Sequence, residues 1–230
     1  MKTMFDSQTQ ASGDAGASAE QEYERRSLAR RRRARERYGA VGSILTALAG
    51  EPHNVHAWKQ GAEGEAATAR ALEHHLRRSD VIVLHDRRIP GRGRANIDHI
   101  AIGPGGITVI DTKSTRGQVQ LRTVGVINRR EQLLVNGRDR TSQLDALERQ
   151  LDRVATVLDR QGVDYVNAMG ALCYPFMRRN LLHYGRARDG LITVDDPRHA
   201  AKVANRSGPL TPEDIEDLVS RIAAAFPPAV

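Results

Sequence analysis

Residues 96–115 read Asn-Ile-Asp-His-Ile-Ala-Ile-Gly-Pro-Gly-Gly-Ile-Thr-Val-Ile-Asp-Thr-Lys-Ser-Thr, two β-branched runs that flank a Gly/Pro turn. This pattern predicts a β-hairpin. With the turn centred between Pro104 and Gly105, counting outward pairs Asp98 with Asp111. Like charges that face each other destabilise an antiparallel strand pair, so we expect a nearby positive charge to offset this repulsion.

Alternation along the two strands puts both aspartates on one apolar, core-facing stripe, together with Ile100, Ile102, Ile107 and Val109. Lys113, two residues beyond Asp111, points the same way. Two acids and a lysine on a partly buried patch suit a divalent cation, because hard oxygen ligands favour Mg²⁺ or Mn²⁺. A structural ion pair between Lys113 and one aspartate accounts for the same residues, and both interpretations stay open.

Length and charge limit the classes of protein that need considering. A chain of 230 residues has room for one sizeable domain with a tail. The 35 basic and 28 acidic residues give a net charge of +7, which favours polyanionic partners. The single cysteine, Cys173, excludes an intrachain disulfide and a thiolate metal cage. No apolar run approaches the roughly 20 residues of a membrane span, so we expect a soluble, cytoplasmic protein.

Three regions are predicted along the chain. Residues 1–38 form a disordered tail with an arginine-rich arm, in which residues 24–37 hold eight arginines, including Arg31, Arg32 and Arg33. The arm is either a contact for nucleic acid phosphates or a charged linker. Residues 39–57 form a short apolar segment or linker, and residues 58–230 form the folded domain.

A helix is predicted from Trp58, because its apolar stripe continues at four- and three-residue steps through Ala62, Glu65, Ala69, Leu72 and Leu76. Glu65 therefore lies on the buried face. A carboxylate there is costly unless it is paired or ligates something. The alternative is that Glu65 only interacts with the positive end of the helix dipole.

The other elements follow in order. Residues 81–84 are predicted as a strand, followed by a basic loop at 85–94 whose arginines could contact nucleic acid: Arg87, Arg88, Arg92 and Arg94. Strands are predicted at 117–126, 132–135, 163–174 and 191–194. A helix capped by Ser142 follows the turn Asn136-Gly137, and its stripe includes Gln143, an amide that points either inward or to solvent. Asp196-Pro197 and Thr211-Pro212 predict two further helix starts.

The ordered motifs resemble the PD-(D/E)XK nuclease superfamily, and more closely its NERD (nuclease-related) domain, over residues 58–158. The resemblance rests on Gly61-Ala-Glu-Gly-Glu65, Asn96-Ile-Asp-His99, Gly103-Pro-Gly-Gly-Ile107 and Val109-Ile-Asp-Thr-Lys113. It implies an α/β fold with a mixed central β-sheet flanked by helices, a restriction-endonuclease-like core of order αβββαβ.

The same resemblance implies a function. Asp98, Asp111 and Glu65 would bind Mg²⁺ or Mn²⁺, Lys113 would assist the attacking water, and Gln143 would be an auxiliary catalytic residue. The reaction would be hydrolysis of phosphodiester bonds, with DNA favoured over RNA as the substrate. His85, Asp86 and Arg87 could line the cleft where DNA would enter. The alternative is a non-catalytic module of the same fold that binds nucleic acid or a protein. Neither the residues nor the resemblance indicates an oligomeric state.

Overall fold

The computed structural model describes residues 53–91, 95–125, 130–163, 166–177 and 185–229, with side chains described from residue 60 onward. The described chain contains four helices: α1 (His53–Leu76), α2 (Ser142–Arg160), α3 (Pro197–Ala204) and α4 (Pro212–Ala225). Its strands are β1 (Ile82–Arg88), β2 (Asn96–Gly103), β3 (Gly106–Thr112), β4 (Val119–Val124), β5 (Arg130–Val135), β6 (Arg138–Asp139), β7 (Ala168–Cys173), β8 (Gly185–Ala187) and β9 (Ile192–Asp195).

The central sheet has six strands in the order β1-β2-β3-β7-β9-β8. The β1–β2, β2–β3 and β8–β9 pairs are antiparallel, whereas β3–β7 and β7–β9 are parallel. A second antiparallel sheet, β4-β5-β6, is inserted between β3 and α2. Without that insertion, the element order from α1 to β7 is αβββαβ. The predicted mixed α/β fold, consistent with a restriction-endonuclease-like core, is confirmed.

The β2–β3 hairpin has the predicted register. Ile102 pairs with Ile107, His99 pairs with Ile110, and the pair Gly103–Gly106 closes the two-residue turn. Gly106 has a φ of +108°, and a Cβ atom at this position would lie 2.2 Å from the carbonyl oxygen of Asn167. A side chain there would therefore clash as well as strain the backbone, which explains the glycine.

Helices cover both faces of the central sheet. Ile100 and Val109 belong to a core cluster that includes Leu147 and Leu151 of α2 and residues of α4. On the opposite face, Ala101 and Ile110 pack with Leu72 and Leu76 of α1 and with three alanines of α3, which are Ala200, Ala201 and Ala204. The strand ends therefore lie between two helical layers. Among the described residues, no helix is both long and apolar enough to cross a membrane.

Several predicted boundaries are wrong. Helix α1 begins at His53, five residues before the predicted start at Trp58. The earlier start was missed because the polar first turn of the helix shows no apolar periodicity. Strand β1 continues to Arg88, through residues that we predicted as loop. Ser142 is the first residue of α2 rather than its cap, and the preceding Thr141 makes no side-chain capping bond.

The C-terminal helix starts are confirmed. Asp196 Oδ1 accepts a hydrogen bond of 2.9 Å from the backbone N–H of His199, and Thr211 forms a capping box with Asp214. The short edge strand β8 was not predicted. The predicted tail and arginine-rich arm (1–38) and residues 39–52 of the linker lie outside the described residues, as do Arg92, Arg94 and the side chain of Trp58.

Candidate functional site

The two aspartates of the hairpin lie at the same end of the central sheet. The register places Asp98 one position beyond His99 and Asp111 one position beyond Ile110, the last pair of the ladder. Both carboxylates are buried. Oδ2 of Asp98 accepts a hydrogen bond of 2.7 Å from the backbone N–H of Thr112, which ties β2 to β3. Nζ of Lys113 lies 2.7 Å from Oδ2 of Asp111.

Glu65 approaches this group from α1, the helix on the other face of the sheet. The neighbouring Gly64 is buried against Ser114, and a Cβ atom on Gly64 would lie 2.8 Å from Cβ of Ser114. Glycine therefore permits the helix to pass close to the strand end, one residue after Lys113. This close contact brings the carboxylate of Glu65 into the electric field of the two aspartates and the lysine.

The electrostatics of the group follow from burial and crowding of like charges. Burial, followed by the charges of Asp98, Asp86 and Asp111, raises the pKa of Glu65 to about 9. Burial and Asp111 raise the pKa of Asp98 to about 7, although Lys113 and the N–H of Thr112 oppose this. Burial alone would lower the pKa of Lys113, but the carboxylates outweigh it and raise that pKa. A cation is therefore strongly favoured among these acids.

Two buried oxygen atoms of the group have unused acceptor capacity. Among the residues that the structure describes, Oε2 of Glu65 has no hydrogen-bond partner, and Oδ2 of Asp111 has none besides the ammonium group of Lys113. Hard carboxylate oxygens of this kind suit Mg²⁺ or Mn²⁺. Within the described ranges, however, no three potential ligand side chains are already arranged to hold a metal ion. The donor chemistry fits a divalent cation.

The geometry agrees with a comparison against known protein families. The model of the nuclease-related domain, NERD, matches residues 60–175, just over half of the chain. The chain belongs to the NERD family. The matched region begins in α1 before Glu65, includes β1 to β6 and α2, and ends after β7. Separate comparisons with curated proteins and with solved structures found no match.

A fourth carboxylate, Asp86 of β1, lies near the carboxylates of Glu65, Asp98 and Asp111. The sequence analysis predicted Asp86 to line the DNA cleft, but not to belong to this acid group. The flanking pairs, His85–His99 and Arg87–Ile97, place Asp86 across from Asp98. It is fully buried, has a left-handed φ of +47°, and accepts a hydrogen bond of 2.5 Å from Nδ2 of Asn96. Its charge contributes to the raised pKa of Glu65. Its place opposite Asp98 could not be predicted from the sequence, because residues 85–94 were interpreted as a loop rather than as part of a strand.

Gln143 lies at the start of α2 and is anchored by an aromatic residue that the sequence analysis did not select. The hydroxyl of Tyr174, immediately after β7, donates a hydrogen bond of 2.5 Å to Oε1 of Gln143. Burial and then the charge of Asp111 raise the pKa of Tyr174. Tyr174 therefore lies within electrostatic range of Asp111 while it holds Gln143. The spacing of residues along α2 could not predict this connection between Gln143 and the acid group, because Tyr174 lies outside that helix.

Most of the β1 residues that were predicted to line a nucleic acid cleft form contacts within the protein instead. Nδ1 of His85 lies 2.8 Å from Nδ1 of the buried His99, which faces away from Asp98 as alternation predicts. Arg87 is only 1% exposed, and its guanidinium donates to the carbonyl oxygens of Phe226 and Ala223. The predicted contact of Arg87 with nucleic acid is therefore wrong. Arg88 is exposed, and one of its nitrogens donates to Ala229.

The raised pKa of Glu65 leads to a stability prediction. Its pKa rises from an ordinary 4.5 to about 9, so the folded protein holds a proton that the unfolded chain releases. Stability is retained below pH 4.5 and is lost as the pH rises toward about 9. We expect Glu65→Gln, which mimics the protonated acid, to stabilise the protein in EDTA, with a larger gain at high pH than at low pH.

Urea unfolding at several pH values measures this gain. Glu63→Gln is the matched control, since Glu63 lies on the same helix but is exposed. A gain of equal size in both variants, or one that does not grow with pH, would show that Glu65 is not crowded by the neighbouring acids.

Proposed function

We propose that this protein is a metal-dependent nuclease that hydrolyses phosphodiester bonds, with DNA favoured over RNA. The observation that carries this proposal is the hairpin register, which brings Asp98 and Asp111 to one strand end with Lys113 beside them. A purely structural role does not explain why Glu65 would add another buried carboxylate to the same charged group at an energetic cost.

The proposed metal ligands are Asp98, Asp111 and Glu65. The N–H of Thr112 holds one oxygen of Asp98, so that side chain is oriented before any ligand arrives. Glu65 and Asp111 each contribute an oxygen with unused acceptor capacity. Mg²⁺ or Mn²⁺ bound there would lower the pKa of a water molecule and neutralise charge on the phosphate.

The remaining steps use side chains of the chain itself. The ammonium group of Lys113 is positioned by its ion pair with Asp111, where it can orient the attacking water and stabilise negative charge that develops on the phosphate. Gln143 accepts from Tyr174 through Oε1, which leaves its amide N–H groups to donate to a phosphate oxygen. We keep six arginines as proposed contacts to nucleic acid. Arg88 is the one that lies among the described residues; the others are Arg31, Arg32, Arg33, Arg92 and Arg94.

A second candidate is a non-catalytic module that binds nucleic acid through the same fold. The absence, within the described ranges, of three ligand side chains arranged for a metal ion favours it. Incubating the purified protein with duplex, single-stranded and nicked DNA and with RNA, in Mg²⁺, Mn²⁺ or EDTA, separates the two. Cleavage that requires the metal supports the nuclease. Tight binding with no cleavage of any substrate would leave the binding module as the function.

A further inference from the structure

A cavity of about 350 Å³ lies between the segment after Lys113 and the β5–β6 hairpin. The residues that line it are Thr115, Val135, Asn136, Arg138 and Arg140. Thr115 follows Lys113 by two residues, so one wall of the cavity is continuous with the Asp111-Thr112-Lys113 motif. None of the five residues is a predicted site residue.

Side-chain hydrogen bonds fix the two walls relative to each other. Asn136, in the left-handed turn between β5 and β6, accepts a hydrogen bond of 2.9 Å from the N–H of Gln118. Its amide nitrogen donates 2.8 Å to the carbonyl oxygen of Arg116. A Cβ atom on the intervening Gly117, whose φ is +118°, would lie 2.0 Å from Oδ1 of Asn136. The hairpin is therefore clamped to the chain just after the catalytic motif, and the cavity is built into the fold.

The two arginines that line the cavity have no charged partner among the described residues. Arg138 and Arg140 are exposed, and neither guanidinium forms a hydrogen bond or ion pair with the part of the chain that the structure describes. Arg188, by contrast, is bound by the carboxylates of Glu131, Asp145 and Glu148. Unpaired, neighbouring guanidinium groups in a concave site suit a phosphate, which they can bind through paired N–H donors.

The cavity lies close to the proposed reaction centre, because Thr115 lines it only two residues after Lys113. Burial and the charge of Asp111 raise the pKa of Tyr174, and the charge of Arg140 opposes them. The charges of both Asp111 and Arg140 thus act on Tyr174, whose hydroxyl is bonded to Gln143. A nucleic acid strand whose phosphate contacts the acids and Lys113 would carry a neighbouring phosphate toward the arginines.

We propose that this cavity is a phosphate subsite, in which Arg138 and Arg140 bind a backbone phosphate adjacent to the one that is cleaved. The hydroxyl of Thr115 supplies a further donor. The proposal rests on the nuclease function, and it sets the path of the strand: across the end of β3 and along the β5–β6 hairpin. The phosphate is the shared chemistry of DNA and RNA, so both are bound by this subsite.

The test is the salt dependence of binding by the double variant Arg138→Gln/Arg140→Gln, measured in EDTA by fluorescence anisotropy with labelled duplex DNA and duplex RNA. Each lost phosphate contact lowers the log–log slope by about 0.9, and the two arginines share one phosphate, so we expect a loss of about 0.9 units. The matched control is Arg153→Gln/Arg160→Gln, two exposed arginines further along α2 with the same change in charge. Equal slopes for the two double variants, or a loss confined to one nucleic acid, would overturn the proposal.

A second measurement keeps this result separate from the nuclease proposal. Single neutral methylphosphonates are placed along the strand, and we expect one position to weaken binding by the wild type but not by Arg138→Gln/Arg140→Gln, since the subsite is already lost there. Sensitivity that is unchanged in the variant would contradict the subsite. Failure of the wild type to cleave would refute the nuclease function alone, because both binding measurements are made without metal.

Discussion

We expect Asp111→Asn to abolish metal-dependent cleavage, a loss of about three orders of magnitude or more. The substitution keeps the shape of the side chain but removes a proposed ligand charge, so the affinity for Mg²⁺ should also fall. Binding of nucleic acid in EDTA should persist or increase, because a buried negative charge that repels phosphate is gone. Asp111→Asn should therefore separate substrate binding from catalysis.

Isothermal titration with Mg²⁺, anisotropy in EDTA and single-turnover cleavage test the three parts of this expectation. Asp152→Asn provides the same chemical change on the exposed surface of α2 and should alter none of them. If Asp111→Asn retained full metal-dependent cleavage, Asp111 would be only the structural ion-pair partner of Lys113, and another residue would have to carry the reaction.

The hairpin shows which part of the structure could be predicted from the sequence. Its register depends on local rules, since the Gly/Pro turn and the alternation of Ile and Val determine which residues face each other. The apolar stripe of α2 and the two C-terminal helix starts follow from equally local patterns. These elements were predicted correctly because the residues that decide them lie within a few positions of one another.

The errors arose where distant contacts decide the structure. Residues of β1 after Leu84 are polar and resemble a loop, yet His85 is buried against His99, and Arg87 donates to carbonyl groups at the end of α4. These tertiary partners stabilise a strand that propensity alone does not favour. The position of Asp86 beside the acid group and the role of Tyr174 were missed for the same reason, since each residue reaches the acids only through the folded arrangement of the sheet and α2.

Lys113→Ala should have a different effect from Asp111→Asn. Lys113 is the cation within the acid group, and its charge lowers the pKa of both Glu65 and Asp98. Its removal leaves the carboxylates more crowded, so Mg²⁺ should bind at least as tightly as in the wild type. Turnover should nevertheless fall by about two orders of magnitude or more, because a positioned positive charge is lost from the transition state.

Cleavage rates at saturating Mg²⁺, together with metal titrations, distinguish these outcomes. Lys202→Ala, which removes an exposed lysine from α3, is the matched control for the loss of one positive charge. If added Mg²⁺ restored the rate of Lys113→Ala, Lys113 would act only by organising the carboxylates for metal binding. A rate that stays low while the metal is bound would assign the lysine to the chemical step, because then only the stabilisation of the reacting phosphate and water has been removed.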